Sequence, residues 1–256
     1  MTRVIRRSLL ALIVPFAAIA AWWWFSRDST SVYFPPLATI WAEFQELWLF
    51  EEWPANVIPS LRRMAIGFLI SLVSAIALGV LIGMTPLLRR ATAPYVEFFR
   101  AIPPAALVPV FILLLGIGDE MKIAVVVFGT AWPILLNTIA GVRSTDATLL
   151  DTVRSFRTSK PALILRVILP SATPQISAGI RTALGLAILL IVVSEMVAST
   201  NGLGYFILNA QRVFQIPAMW SGILLLGFLG IALNLAYSLI ERRALRWYRA
   251  SNKLGD

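Results

Sequence analysis

Residues 151–170, DTVRSFRTSKPALILRVILP, form a polar and basic island between two hydrophobic stretches. Apolar residues in and just before its first half recur at helical spacing, which predicts a short amphipathic helix. These residues are Leu149, Leu150, Val153 and Phe156. Ser159 and Pro161 supply an N-cap and a first-turn proline for a second short helix over residues 162–168. Two short helices joined by a turn are typical of a surface that docks into another protein.

The composition of the chain places it in the membrane class. Of its 256 residues, 59% are hydrophobic and 14% are charged, and the mean hydropathy is +0.81, more apolar than a soluble core requires. The net charge of +9 does not indicate nucleic-acid binding, because the basic residues lie at the ends of apolar runs. The chain has no cysteine and no histidine, which removes thiolate chemistry, the usual general base and the commonest metal ligand. We therefore expect a non-catalytic protein with no metal site.

Six apolar runs approach the ~20 residues that one bilayer crossing requires. They cover residues 9–25, 64–84, 101–117, 123–142, 181–198 and 220–239. The first run follows arginines as a signal peptide does, but it ends in the aromatic cluster of residues 22–25 and lacks a small-residue cleavage site. We expect it to be retained, with its aromatic end at the membrane interface. The sequence thus predicts an all-α integral membrane protein with about six transmembrane helices.

Lysine and arginine are distributed unevenly among the segments between these runs. With the N-terminus in the cytoplasm, sixteen lie inside and five outside, a bias that places both termini in the cytoplasm. The sixteen are Arg3, Arg6, Arg7, Arg89, Arg90, Arg100, Arg143, Arg154, Arg157, Lys160, Arg166, Arg242, Arg243, Arg246, Arg249 and Lys253, and the five are Arg27, Arg62, Arg63, Lys122 and Arg212. Arg62 and Arg63 are expected to reach lipid headgroups or to pair with Glu51 and Glu52.

The chain divides into three parts. Residues 1–58 hold the first membrane helix and an amphipathic outer segment, residues 59–241 the membrane core, and residues 242–256 a basic cytoplasmic tail. The outer segment has a single apolar stripe. The stripe consists of Leu37, Ile40, Trp41, Phe44, Leu47 and Trp48. We expect this segment to lie flat on the outer membrane surface or, alternatively, to form part of a platform for an extracellular partner.

Prolines and small residues occur inside or beside the spans. Proline removes a backbone donor and bends a helix, which lipid tolerates only where neighbours or a cavity satisfy the freed carbonyls. Small residues on one face allow close helix contact. The prolines are Pro103, Pro104, Pro109, Pro133, Pro170 and Pro174, and the small residues are Gly67, Ser71, Ser74, Gly79, Gly179, Ala183, Gly185 and Ala187. This combination favours a bundle that changes shape.

Three polar residues inside the spans are candidates for a transport pathway or a gate. They are Glu97, Asn137 and Glu195. A charged carboxylate is unfavourable by roughly 2.5 kcal/mol or more at the centre of a bilayer, so each glutamate should face a partner or water. If the glutamates instead form structural ion pairs, Arg100 and Arg181 are the candidate partners.

Three stretches of the sequence resemble the permeases of binding-protein-dependent ABC importers, in particular the nitrate, taurine and aliphatic sulfonate group. They are RRATAPYVEFFRAIPPAALVPVFILLLGIGDEMKI (residues 89–123), RVILPSATPQISAGIRTALGLA (166–187) and SEMVASTNGLGYFI (194–207). The resemblance covers residues 59–241 and implies a type I importer permease bundle with a cytoplasmic docking helix. It also implies that residues 151–170, called the docking segment below, dock into an ATPase subunit.

The docking segment matches the family pattern at its end and departs from it at its start. The family has Glu-Ala-Ala, three residues, glycine, a spacer, and then a branched aliphatic residue, any residue and Leu-Pro. Here Asp151, Thr152 and Val153 take the first places, Arg157 takes the glycine place, and Val167, Leu169 and Pro170 take the last. Arg154 and Phe156 complete the docking residues that the resemblance implies.

Two of these departures carry structural expectations. A left-handed turn is unfavourable by about 1 kcal/mol or more for a residue other than glycine. Arg157 therefore predicts a turn that is built differently or is held by the partner. Asp151 retains an acceptor, which we expect near a helix start, where the helix dipole favours it.

The resemblance also implies the partners. The chain has no G-x-x-x-x-G-K-[ST] phosphate loop, so ATP and Mg²⁺ are expected in separate ATPase subunits and no cofactor is expected on this chain. The other expected partners are a second permease chain, as a homodimer before a heterodimer, a periplasmic or lipid-anchored solute-binding protein, and the lipids of a bacterial plasma (inner) membrane.

The implied function is ATP-driven import of a small solute, such as a sulfonate, taurine or nitrate, by alternating access. Similar sequences carry vitamin precursors, including pyrimidines and flavins, so the solute stays open. An ATP-independent secondary transporter or channel subunit is the alternative. An integral-membrane enzyme is disfavoured, because the chain lacks histidine and cysteine.

Overall fold

Helices make up most of the described chain. The computed structural model describes residues 2–48, 52–197 and 199–248, with side chains from residue 13 onward except that of Arg154. Within these ranges it has eleven α-helices and no β-strand. They are α1 (Thr2–Ser26), α2 (Leu37–Glu46), α3 (Ile58–Met84), α4 (Pro86–Ala101), α5 (Val108–Leu115), α6 (Asp119–Arg143), α7 (Ala147–Ser155), α8 (Lys160–Leu163), α9 (Leu169–Val197), α10 (Leu203–Arg212) and α11 (Ile216–Ala244). The all-α prediction is confirmed.

Four helical stretches are long and apolar enough to cross a membrane. They are Trp53–Met84, Asp119–Arg143, Lys160–Val197 and Ile216–Ala244. The first and third are much longer than the predicted runs. Their α-helices α3 and α9 begin before the runs, and each is preceded by a five-residue π-helical turn, Trp53–Val57 and Ile164–Ile168 respectively.

The third predicted run, residues 101–117, holds the second half of a bent pair of helices. α4 and the stretch Pro104–Leu115 meet at 84°. Ile102 and Pro103, between them, have extended backbone, because two successive prolines cannot donate hydrogen bonds and proline disfavours a helical residue before it. The described residues thus hold four candidate spans, or five with the bent pair, and α1 covers the first predicted run.

The centre of the bundle is formed by α3, α6 and α9. α3 and α6 run parallel, with Gly67 against Val126 and Gly83 against Val142, and α9 packs antiparallel on α6. The predicted small residues Gly67, Ser71, Gly79, Gly179, Ala183 and Ala187 are buried. Gly185 instead faces away from the bundle, and nothing lies within 4 Å of the position of its absent Cβ. Small residues therefore allow close contact at these helix interfaces, as predicted.

The amphipathic outer segment packs on the bundle. α2 lies against α11, and Ile40 and Trp48 of the stripe are buried. The indole N–H of Trp48 donates to Ser221 Oγ at 3.0 Å, and its ring meets Phe206 edge-on. A buried indole whose N–H has a protein partner is anchored in the protein. The stripe therefore packs partly on α10 and α11. Its position relative to the outer membrane surface stays a prediction, as does the alternative of a platform for an extracellular partner.

Some predictions fall partly outside the described residues. Position 198, the last of the fifth predicted run, and Glu51, a predicted partner of Arg62 and Arg63, are among these. Of the predicted basic tail, Arg242 and Arg243 lie in the last turn of α11, whereas residues 249–256 are not described.

Candidate functional site

The docking segment begins inside a short helix that starts before it. α7 is capped by Asp146, whose Oδ1 accepts a hydrogen bond from the backbone N–H of Leu149 at 2.8 Å, as an N-cap side chain does. Asp151 is the central residue of this nine-residue helix. The expectation that Asp151 lies at a helix start is therefore wrong, and Asp146 has that position.

The turn after α7 contains a left-handed residue. Arg157 has φ +53°, which glycine adopts easily and which costs other residues about 1–2 kcal/mol. The turn thus keeps the conformation that glycine would give it, and the expected different turn is not found. Within the part of the chain that the structure describes, the exposed Arg157 side chain has no hydrogen bond or ion pair.

The second half of the docking segment is the beginning of a long helix. α8 starts with Ser159 at the N-cap position and Pro161 in the first turn, as predicted, although the Ser159 side chain makes no capping hydrogen bond. The helix does not stop near residue 168, because a π-helical turn joins α8 to α9. Pro170 is the second residue after this turn and lies in the first turn of α9. A displacement of the docking segment therefore reaches α9 without an intervening loop.

One side of the docking segment anchors it and the other side is open. Leu163 and Ile168 pack in the core beside Val142 and Ala172, as does Leu150 just before the segment. Phe156 and Leu165 are 80% and 65% exposed. Of the predicted docking residues, Asp151, Thr152, Phe156 and Arg157 are exposed, Val153, Val167, Leu169 and Pro170 are half-buried, and the side chain of Arg154 is outside the described part. Large apolar side chains exposed within a polar rim are typical of an interaction site.

The three predicted pathway residues do not form one site. Glu97 has a 61% exposed side chain and accepts a hydrogen bond from Arg100 Nε at 2.8 Å, so its predicted pairing is confirmed. Asn137 is half-buried, and its amide donates to the Pro133 carbonyl at 2.8 Å on its own helix. Glu195 is fully buried near the C-terminal end of α9, at the opposite end of that helix from the docking segment.

Glu195 lies in a buried charge cluster. The cluster consists of Ser60, Arg63, Asp119, Glu195 and Asn201. The Glu195 carboxylate accepts hydrogen bonds from Ser60 Oγ at 2.7 Å and from Arg63 Nη1 at 2.9 Å. It also accepts one from the backbone N–H of Gly204 at 3.1 Å. Because Arg63 is 5% exposed and Glu195 is 0% exposed, these contacts are what makes burial of the two charges tolerable.

The guanidinium of Arg63 joins three parts of the fold. Its Nε donates to Asp119 Oδ1, at the start of α6, at 2.7 Å. Its Nη2 donates to Asn201 Oδ1, in the loop after α9, at 2.6 Å, while Nη1 reaches Glu195. Arg62 donates to the other oxygen of Asp119 at 2.5 Å. The planar fork of arginine suits such a junction, which holds α3, α6 and α9 together.

The predicted partners of these charges are wrong. Arg63 does not pair with Glu52, which accepts a hydrogen bond from Asn56 in its own turn. Arg181 pairs with Glu241 and not with Glu195. Sequence reasoning also missed the cluster members Ser60, Asp119 and Asn201. The available signal was the run SEMVASTNGLG, in which a glutamate inside an apolar span is followed by an Asn-Gly turn.

Two glycines allow the loop after α9 to close over Glu195. Gly202 has φ +109°, and a Cβ at that position would overlap the Glu195 carboxylate. A Cβ on Gly204 would overlap the carbonyl oxygen of Val192. The backbone N–H of Gly202 donates to Asn56 Oδ1 at 2.7 Å. The loop can take this path only because neither residue has a side chain.

Gly202→Ala is expected to lower the free energy of unfolding by about 2 kcal/mol, because the positive φ and the overlap both oppose the side chain. Gly227→Ala is the matched control, since nothing lies within 4 Å of the position of the absent Gly227 Cβ and alanine favours a helix. SDS titration in mixed micelles, followed by tryptophan fluorescence, measures both. Equal unfolding midpoints for the two variants would contradict the close packing of this loop.

The buried charge cluster has the features of a structural junction. Its two carboxylates are engaged by arginine. Among the residues that the structure describes, no three His, Cys, Asp or Glu side chains are grouped to hold a metal ion. What the arrangement can do is fix the relative positions of three helices at one end of the bundle.

A family comparison decides what kind of protein this is. The family model described as "Binding-protein-dependent transport system inner membrane component" matches residues 75–246, which is more than half of the chain. The chain belongs to this family. It is therefore a multi-pass, inner-membrane permease component of an importer, as the resemblance in the sequence implied.

Individual relatives and solved structures agree with the family assignment. Permease protein SsuC of Bacillus subtilis (strain 168), named for aliphatic sulfonates transport, is 32% identical over 238 residues, covering 92% of this chain and 86% of that protein. Nitrate import permease protein NrtB of Leptolyngbya laminosa is 31% identical over 190 residues, covering 74% and 68%. A structure of the MetNI methionine ABC transporter in inward-facing conformations has a TM-score of 0.64 and 21% identity over 78% of this chain and 98% of that chain. The type I importer permease fold is confirmed.

Proposed function

We propose that this permease moves a small oxoanion inward by alternating access, driven by ATP hydrolysis in separate subunits. The observation that carries the coupling step is the continuity of the helix Lys160–Val197. It starts in the docking segment and ends two residues beyond Glu195, so that one helix connects the partner surface with the far end of the bundle.

The ATPase subunits bind at the docking segment and hold ATP and Mg²⁺ in this proposal. Phe156 and Leu165 offer an exposed apolar surface there, and the chain has no phosphate-binding loop. Closure of the ATPase pair on ATP then displaces α8 and α9 together, and hydrolysis returns them. Such a cycle is a two-state equilibrium that ligands bias, with the docking segment as the mechanical link.

The proposed arrangement in the membrane follows the positive charges. The docking segment and both termini lie in the cytoplasm, and the buried charge cluster lies at the outer side, because sixteen of the Lys and Arg residues then lie inside and five outside. Two copies of this chain, a homodimer, form the transport unit, and an external solute-binding protein delivers solute at the cluster end.

The proposed solute class is a small oxoanion, either a sulfonate, taurine included, or nitrate. It is supported by the names of two relatives, one assigned to aliphatic sulfonates and one to nitrate. Sulfonate and nitrate groups share a compact, delocalised negative charge on several oxygens. A binding protein that delivers such an anion provides the selectivity in this scheme.

The candidate pathway residues take different roles in this proposal. Glu97 and Asn137 remain candidates for a gate or for the pathway wall, because the Glu97 side chain is exposed and Asn137 is partly accessible. Glu195 is enclosed by the protein, so we assign it to the junction that keeps α3, α6 and α9 together while other parts move.

ATP hydrolysis by a reconstituted complex tests the proposal. This chain is purified with an ATPase subunit and a binding protein from the same genome, placed in nanodiscs and supplied with taurine, alkanesulfonates, nitrate and riboflavin in turn. We expect hydrolysis to rise several-fold with one of the oxoanions and its binding protein. The double variant Asp151→Lys, Arg157→Glu should lose this stimulation, whereas Arg242→Glu, at an exposed basic residue in the last turn of α11 and outside the docking segment, should keep it.

Two results would contradict the proposal. If no ATPase subunit associates and solute flux proceeds without ATP, the chain works as a secondary transporter or channel subunit. If riboflavin stimulates hydrolysis and the oxoanions do not, the importer mechanism stands and the proposed solute class is wrong.

A further inference from the structure

We propose that the docking segment fits an ATPase subunit with an acidic rim around an apolar pocket, and that Arg157 is the residue that selects such a subunit. This inference rests on the proposed docking role. It concerns the chemistry of the partner surface, which can be wrong even if an ATPase docks here.

The first observation is the backbone of Arg157. Its φ of +53° is unfavourable for arginine, and a strained residue persists where the surroundings or a function require it. Glycine would give the same turn without the strain. The guanidinium has no hydrogen bond or ion pair among the described residues, so nothing within that part of the chain accounts for arginine here.

The second observation is an unbalanced charge. The docking segment holds four basic residues and one acidic residue, a net charge of +3. The basic residues are Arg154, Arg157, Lys160 and Arg166, and the acidic residue is Asp151. The side chains of Arg157, Lys160 and Arg166 are exposed. Two further basic residues, Arg89 and Arg143, line a cavity beside the docking segment. Complementarity therefore requires an acidic partner surface.

The third observation is where the apolar surface lies. Phe156, 80% exposed, directly precedes Arg157, so the left-handed turn exposes an aromatic residue and a basic residue in succession. Leu165 is exposed one residue before Arg166. Apolar anchors surrounded by charged residues are the usual anatomy of a protein interface, where the anchor fills a pocket and the rim selects the partner.

Anionic lipid could also attract these basic residues, but the backbone favours a protein. Because the backbone at Arg157 has one defined conformation, the Phe156 side chain is held in one orientation. A side chain held in this way suits a protein pocket of complementary shape. A fluid headgroup surface has no shape to match and would be served equally by a flexible glycine turn.

Binding measurements on three variants test this inference. The chain, held in phosphatidylcholine nanodiscs without anionic lipid, is titrated with the ATPase subunit from the same genome at 50 mM and 300 mM NaCl. We expect Arg157→Gly to weaken binding about tenfold at low salt, although it removes the backbone strain, and Arg157→Glu to weaken it further. The salt dependence should be smaller for Arg157→Gly than for the wild type. Arg212→Glu should bind as the wild type does.

The outcomes separate this inference from the docking role. If the wild type binds and Arg157→Gly binds equally or more tightly, with the same salt dependence, the acidic-rim inference is wrong and docking stands. If the wild type does not bind at all, the docking role fails and the inference with it. If Arg157→Glu leaves ATPase binding intact but abolishes binding to phosphatidylglycerol vesicles, the basic surface serves the membrane and the inference is overturned.

Discussion

Glu195→Ala is expected to lower the free energy of unfolding by about 3 kcal/mol, the lower end of the range for breaking a buried ion pair. The change removes the acceptor of three donors, Ser60 Oγ, Arg63 Nη1 and the Gly204 N–H. Buried donors left without an acceptor are unfavourable. Arg63 keeps Asp119 and Asn201 as partners, which is why the loss stays at the lower end. SDS titration in mixed micelles, read by the fluorescence of the nine tryptophans, measures it.

Two further variants make this expectation specific. Asp28→Ala removes a carboxylate that pairs with Arg27 on the protein surface. The Asp28 side chain is 85% exposed, and ion pairs between exposed side chains contribute little to stability. The unfolding midpoint should therefore stay at that of the wild type. Glu195→Gln keeps acceptor capacity for Ser60 and Gly204 but lacks the charge for Arg63, so it should fall between the other two. A Glu195→Ala variant as stable as Asp28→Ala would refute the structural importance of the buried charge cluster.

The helices could be predicted because their signal is local. A bilayer crossing requires a long apolar run, and such runs are read directly from residues such as those of 64–84 and 220–239. Their ends were less predictable. The helix that contains residues 181–197 starts at Lys160, because a π-helical turn joins α8 to α9 within a polar and basic stretch. The composition of that stretch gives no reason to expect a transmembrane helix.

The buried charge cluster could not be predicted because its contacts are distant in sequence. Arg63 and Glu195 are 132 positions apart, and only the packing of α3 beside α9 makes them neighbours. Local reasoning instead favours the nearby Glu52 and a helix-mate such as Arg181. The Glu97–Arg100 pair was predictable for the same reason, since residues three apart on a helix always lie on one face.

The docking segment contains features that the sequence predicts and features that it does not. Its half-buried end, Val167, Leu169 and Pro170, lies in continuous helix, consistent with the apolar pattern. The left-handed Arg157 could not be predicted, because the residue type argues against the conformation. Asp146 as the cap of α7 was readable, since an aspartate before a helical run is a start signal.

A close contact between α3 and α6 in the core gives the second large expected effect. Gly79→Leu is expected to lower the free energy of unfolding by about 3 kcal/mol, at the upper end for overpacking. A Cβ on Gly79 would lie 2.6 Å from Thr138 Cβ and 2.7 Å from Thr138 Cγ2, closer than real atoms approach. Leucine must therefore push α3 and α6 apart along their shared interface. Gly185→Leu, on the open face of α9, is the matched control and should unfold as the wild type does in the same SDS titration.

A rescue experiment tests whether steric overlap with Thr138 causes the loss of stability, as opposed to a general intolerance of larger residues at position 79. Gly79→Ala should destabilise less than leucine, because it adds one carbon. Thr138→Ser removes the Cγ2 methyl while keeping the hydroxyl that donates to the Ile134 carbonyl at 2.7 Å. The double variant Gly79→Ala, Thr138→Ser should therefore recover part of the stability that Gly79→Ala loses, since the two sites are in contact and couple. Strictly additive losses would show that the contact between α3 and α6 at this level is looser than these distances require.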